Sequence, residues 1–277
     1  MRTRDFSRAP RQARAEALVV LERTGAGAAW ARRARRAVRA ADGYVWSAGL
    51  RARDADGRRV RGLVVCVATP ADAHALAGSS APGHERARTF VADAEGYSNG
   101  VWRAEGDVMA HIERFTALTS ESTRGRTPPL VAPAPPRRRD AGAQDGPRGD
   151  APRSGGTPAQ AGALFLGATR YRGPHAWAAL SREWYPMVAA MRRMKGYVWH
   201  RVYWEPPFTL GTIAFFADRD ALMLFARLPA HRRLMTWITR DRRHGTGGYI
   251  RVHVAAQDVR DDGADALADD GTRGDAS

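Results

Sequence analysis

The sequence predicts an α+β protein built from two βαββαβ repeats, and three observations carry that prediction. Blocks of sequence recur in the same order about 150 residues apart. Gly43-Tyr44-Val45-Trp46 returns as Gly196-Tyr197-Val198-Trp199, and Pro82-x-His84-x-Arg86-x-x-Thr89-Phe90-Val91 returns as Pro229-x-His231-x-Arg233-x-x-Thr236-Trp237-Ile238, with Gly62 matching Gly211 and Gly100 matching Gly248. Apolar runs and helix-spaced apolar residues alternate in one order through both copies. A Pro-, Arg- and Gly-rich stretch separates them.

The second repeat shows its elements most clearly. Ala163 to Tyr171 is an apolar strand. Ala176 to Met194 carries Leu180, Trp184, Met187, Met191 and Met194 at helical spacing, and Gly196 ends that helix. Tyr197 to Trp204 is an aromatic-rich strand, closed by the turn Glu205-Pro206-Pro207. Leu210 to Ala217 forms the third strand. Asp218 or Asp220 caps a helix over Ala221 to Leu228. Pro229 starts a further helix at its first turn, where its missing N–H costs nothing. Tyr249 to Val254 is the last strand.

The first repeat follows the same order over Ala17 to Glu22, Ala28 to Ala41, Tyr44 to Ala52, Arg61 to Thr69, Pro70 to Ala92 and Val101 to Met109. It is more polar, with Trp30 near the position of Trp184 and Ala48 at that of Arg201. Such a unit gives a four-stranded ferredoxin-like sheet with two helices on one face. The bare face must be covered, and a second copy covers it. The expected organisation is a basic arm over 1–14, a degenerate repeat over 15–118, a disordered linker over 119–160, a better-preserved repeat over 161–256 and an acidic tail over 257–277.

Composition narrows the function. The formal charge is +15, but Lys195 is the only lysine among 44 basic residues, and the arginines are scattered. That skew follows the coding of a GC-rich genome rather than a phosphate-reading surface, so no specific nucleic-acid partner is expected. The lone Cys66 excludes an internal disulfide and a multi-cysteine metal site. No apolar run reaches the roughly 18 residues of a membrane span. The basic N-terminus has no apolar stretch behind it, so a cytoplasmic protein without a secretory signal is expected.

The second repeat resembles the dimeric α/β-barrel superfamily, and within it the antibiotic-biosynthesis-monooxygenase-like proteins. The residues that carry the resemblance are Trp184-Tyr185-Pro186-Met187 with Met191 and Met194, then Gly196-Tyr197-Val198-Trp199, Phe215-Phe216, Asp218, the run Ala221 to Phe225, His231 and Trp237. The resemblance implies two sheets packed face to face, here from one chain as a monomeric pseudo-dimer or between chains as a homodimer. It implies a cofactor-independent oxygenase acting on a hydrophobic, aromatic or polyketide-like small molecule of secondary metabolism.

Strand alternation places Tyr197, Trp199, Arg201 and Tyr203 on one sheet face, expected to line the cavity. Trp237 joins Tyr197, Trp199 and Tyr203 as a substrate-binding residue. His231, with Leu234, Met235 and Ile238 on one helix face, is the candidate base, and Arg201 the candidate for stabilising a substrate anion. Two other readings stand beside this one. The first is a haem-binding oxygenase or dehydratase with His231 as axial ligand, since haem-dependent members of the superfamily use a histidine on that helix. The second is a non-catalytic small-molecule-binding module. No His, Asp and Glu grouping has metal-ligand spacing.

Overall fold

The computed structural model describes residues 2–3, 10–93, 100–105, 108–109, 156–239 and 243–256. The first repeat runs β2 (Ala17–Thr24), α2 (Ala28–Arg39), β3 (Tyr44–Arg53), β4 (Arg59–Val67), α3 (Pro70–Gly78) and β5 (Arg86–Ala92), after a short strand β1 (Arg2–Thr3) and a helical turn α1 (Arg11–Arg14). Two more strands follow, β6 (Gly100–Glu105) and β7 (Val108–Met109). The second repeat runs β8 (Ala163–Tyr171), α4 (Pro174–Arg192), β9 (Tyr197–Glu205), β10 (Thr209–Phe216), α5 (Arg219–Arg227), α6 (Pro229–Thr239) and β11 (Gly245–Ala255).

Each repeat is a four-stranded antiparallel sheet, ordered β3-β4-β2-β5 and β11-β8-β10-β9. The two join edge to edge through β5 and β11, where Phe90, Val91 and Ala92 pair with Ala255, Val254 and His253. The resulting eight-stranded sheet curls into a near-barrel within one chain. Its open seam lies between β3 and β9. There the Trp199 indole N–H donates to the Arg51 carbonyl at 3.0 Å, and the Arg201 guanidinium donates to the Gly49 carbonyl.

The inner face is filled rather than hollow. Leu18, Val20, Leu50, Val64, Cys66, Phe90, Leu164, Leu166, Ile213, Phe215 and Tyr249 form one buried cluster drawn from both repeats. Each such large apolar side chain contributes roughly 1.5–3 kcal/mol of burial. A turn plugs the barrel ahead of each repeat. Ala13 and Ala15 by α1, and Ala161 after the 3₁₀ turn Pro158–Gln160, belong to this cluster. Buried Glu22 accepts the Ala159 N–H at 3.0 Å and pairs with Arg86 at 3.4 Å, which ties the second plug to the first repeat. Residues 156–160 and 11–14, read from the sequence as linker and arm, are therefore packed parts of the fold; half of the arm, most of the linker and the tail lie outside the described residues.

The tetrapeptide repeat marks a β-bulge. Tyr44 pairs with Val67 and Trp46 with Cys66, while Tyr197 pairs with Phe216 and Trp199 with Phe215, so Val45 and Val198 are the extra residues. The preceding glycines have φ of 65° at Gly43 and 85° at Gly196. A Cβ there would also collide with the third residue of the following helix, Asp72 in one repeat and Ala221 in the other. Those helices start alike: Thr69 caps α3 in a capping box with Asp72, and Asp218 caps α5 by accepting from the Ala221 N–H at 2.7 Å.

The first repeat departs from the sequence expectation after α3. The helix stops at Gly78, and Pro82-Gly83 turns the chain, with Gly83 at φ 62°. Arg86 to Ala92 then alternates as the fourth strand, so the helix does not extend through Pro70 to Ala92. The segment expected as the fourth strand, Val101 to Met109, instead supplies β6, which pairs with the first half of β11, and β7. The second repeat inserts α6 before its fourth strand. The matched block beginning at Pro82 and Pro229 is thus strand in one copy and helix in the other.

Candidate functional site

Helix α6 makes the site. Together with α4 it stands off the outer face of the second sheet and leaves a cavity of about 260 Å³. The sheet supplies Phe165, Thr169, Tyr171, Val202, Leu210 and Thr212; α4 supplies Trp177, Leu180, Trp184 and Met187; α6 supplies His231, Leu234, Met235 and Ile238. The long α4 buries Leu180, Met187 and Met191 against the sheet and brings its tryptophans over the cavity. Gly167, which has no side chain, keeps the floor low. Tyr185, 70 % exposed, stands at the mouth.

The polar inventory is short. His231 Nδ1 lies 3.0 Å from the Ala226 carbonyl, so Nδ1 carries the proton and Nε2 is the acceptor nitrogen. The imidazole ring sits 4.7 Å from the Phe225 ring. Burial pushes its pKa down to about 4, against the smaller upward pull of the Ala226 carbonyl, so the ring is neutral at neutral pH. Trp177 carries a buried indole N–H with no hydrogen-bond partner among the described residues. Its ring is held edge-on by Phe208 at 5.7 Å. The Ser181 hydroxyl is satisfied by the Ala178 carbonyl at 2.7 Å. Burial raises the Tyr171 phenol well above its usual range, so it stays protonated.

The structure separates the residues that the sequence grouped. Because of the bulge at Val198, Tyr197 shares a face with His200 and not with Trp199, Arg201 and Tyr203. Its hydroxyl lies 2.6 Å from His200 Nδ1, the counterpart of the Tyr44–Ser47 contact at 3.1 Å. Trp199, Arg201 and Tyr203 lie on the inner face, away from the cavity. Tyr203 is buried, with its hydroxyl 2.6 Å from that of Tyr249 and its ring 5.1 Å from Trp46. Gly211 opposite it is where a side chain would meet the Tyr203 ring. Trp237 stacks on His244 at 4.5 Å and is not among the residues lining the cavity. Of the six residues expected to bind or act on substrate, His231 is the one placed in the cavity wall, along with the three apolar residues of its helix face.

Trp177 was not among the candidates. Its signal was present: it precedes Leu180 by three and Trp184 by seven residues, on the same helix face. What spacing cannot show is that its N–H finds no acceptor.

An apolar cavity of roughly 150 Å³ takes one benzene ring, so a cavity of about 260 Å³ suits a small fused-ring molecule. Among the described residues no group of three His, Cys, Asp or Glu side chains is placed to hold a metal ion. No helix among them is long and apolar enough to cross a membrane.

The strand order and the site define a single-chain α/β pseudo-barrel with a helix-roofed cavity in its second half. No protein-family model and no curated protein matches the sequence. Among solved structures, the chain is similar to SnoaB, a cofactor-independent oxygenase of Streptomyces nogalater, with 19 % identity over 36 % of this chain and 98 % of that one, at a TM-score of 0.29. It is also similar to a candidate monooxygenase of Fusobacterium nucleatum, with 7 % identity over 88 % of this chain and 93 % of that one, at a TM-score of 0.33. A counterpart from Lactobacillus acidophilus shows 8 % identity over 87 % and 94 % of the two chains, at a TM-score of 0.31.

Proposed function

We propose that the chain is a monooxygenase-like oxidoreductase that holds a hydrophobic, aromatic small molecule in the second-repeat cavity and uses no bound cofactor. The observation that supports this most is an aromatic-walled apolar cavity that holds one neutral histidine acceptor, with Trp177 in its wall carrying a buried indole N–H that has no hydrogen-bond partner among the described residues. An apolar pocket with few directed polar groups fixes an aromatic molecule in one orientation.

In this reading Trp184, Phe165 and Leu180 bind the ring system and exclude water. The Trp177 N–H donates to a substrate oxygen, and His231 Nε2 takes a proton from the acidified substrate. The low pKa of the empty site rises as the anion forms beside the imidazolium. The electron-rich carbanion then combines with dioxygen to give a hydroperoxide, protonated by His231. Loss of water converts CH₂ to C=O. One oxygen atom stays in the product, and the other leaves in water with both hydrogens of the substrate carbon. Arg201, on the other sheet face, takes no part in this step.

Oxygen uptake by the metal-free protein on a panel of hydroxylated bicyclic and tricyclic aromatic ketones tests the reading. It predicts turnover that incorporates one atom of labelled dioxygen and is lost in His231→Ala. Saturable binding without oxygen uptake would replace it with a binding module. A Soret band on adding haemin, absent in His231→Ala, would replace it with a haem protein.

A further inference from the structure

The seam between β3 and β9 gathers positive charge without neutralising it. Among the described residues no ladder bonds join the two strands, and side chains from β9 reach across to β3 carbonyls. Arg201 crosses from the inner face of β9 to the Gly49 carbonyl. Arg35 reaches the same point from the exposed face of α2. The position that a Gly49 Cβ would take lies 2.9 Å from Arg35 Nη2 and 3.3 Å from Arg201 Nη1, so the two nitrogens are within about 6 Å of one another. Arg51, two residues along β3, is a third guanidinium close enough to repel the Arg201 charge. Among the described residues no carboxylate pairs with Arg35, Arg51 or Arg201.

Like charges held this close oppose each other. A tetrahedral oxyanion relieves the repulsion, because charge-assisted N–H···O bonds of about 2.8 Å on two of its oxygens bridge a gap of this size. Guanidinium groups present paired donors to such oxygens. Glycine at position 49 is what allows the approach: a side chain there would stand between the two arginines. The sites differ in the two repeats, since Ala48 replaces Arg201 at the equivalent place and Arg35 comes from the first repeat alone.

We infer that Arg35, Arg51 and Arg201 form a phosphate-type oxyanion site at the β3–β9 seam, separate from the cavity. The anion is either free phosphate or the phosphate of a monoester. Bound there, it clips the open seam of the barrel.

Calorimetric titration of the full chain with inorganic phosphate, at fixed ionic strength held with chloride, tests this. Saturable binding is expected, with at least a tenfold loss of affinity in Arg35→Ala and in Arg201→Gln. Arg201→Gln keeps a donor for the Gly49 carbonyl, and Arg35 is an exposed helix residue, so both variants retain the fold; thermal melting checks it. Arg233→Ala, an exposed arginine on α6, should bind as the wild type does. Phenyl phosphate in parallel distinguishes the sources: equal affinity assigns the site to free anion, tighter binding of the ester to a phosphate-bearing ligand. Absence of saturable binding, or equal weakening in all three variants, would show only the general attraction of a basic protein and overturn the site.

Discussion

His84 and His231 bond matching carbonyls in the two repeats, each that of the penultimate residue of the helix before it: His84 Nε2 lies 3.1 Å from the Ala77 oxygen and His231 Nδ1 lies 3.0 Å from that of Ala226. The matched sequence block therefore records a shared helix-end contact, although the chain beyond it becomes β5 in one copy and α6 in the other. The second histidine alone gains a cavity, because α6 carries it there.

That shared contact separates structural from functional roles. His84→Ala and His231→Ala should each lower stability by about 1 kcal/mol, the net worth of one hydrogen bond. His231→Ala should in addition abolish binding of an aromatic hydroxyketone. Urea unfolding with a parallel ligand titration checks both; an unchanged ligand affinity in His231→Ala removes the histidine from the site.

The bulge glycines should resist substitution. Gly196→Ala and Gly43→Ala each place a Cβ at positive φ and against the next helix. A loss of about 1–3 kcal/mol is expected from the backbone strain, with more from the overlap. Gly57, at φ 76° with open space around it, should lose less when changed to alanine. Denaturant midpoints of the three variants rank them.

Trp177→Phe keeps a ring in the α4 wall and deletes the unpartnered N–H. Its effect should fall on ligands that carry an acceptor oxygen, with affinity weakened by about tenfold, near 1.4 kcal/mol. The deoxygenated hydrocarbon analogue should bind Trp177→Phe and wild type alike. Fluorescence titration with the two ligands makes the comparison.

Stability should fall in mild acid. Burial pushes His253 down to about 3, and His231 down to about 4, from the ordinary value near 6.5. Between these values the unfolded chain binds more protons than the folded one. Stability from these groups is therefore complete above about pH 6.5 and declines as pH falls towards 4 and 3. Replacing His253 by leucine should flatten that slope, as read by melting temperature from pH 7 to pH 4.

Much of the fold could be read in the residues. Period-two and helical patterning located β8, α4, β9, β10 and α5, and the glycine matches Gly43/Gly196 and Gly62/Gly211 coincide in structure. The same approach assigned Pro70 to Ala92 wrongly, because Arg86-Ala87-Arg88-Thr89-Phe90-Val91 carries a block that is helical in its other copy, and local sequence does not reveal that α6 is an insertion. The site was less legible. A single extra residue at Val198 moved Tyr197 to the opposite face from Trp199, and no residue type announces a bulge of that kind. The inner face, rich in Trp199, Arg201 and Tyr203, has the composition of a pocket but is packed by the opposing half-sheet. The cavity depends on where α6 stands off the sheet, a tertiary property.

The central claim is that ligands bind between α4, α6 and the second sheet, not between the half-sheets. A crystal structure with a hydroxylated aromatic ketone tests it most directly. The account predicts the ring system beside Trp184, with one oxygen within hydrogen-bond distance of Trp177 Nε1 and a hydroxyl facing His231 Nε2. A ligand seated instead among Trp199, Tyr203 and Trp46 would contradict it.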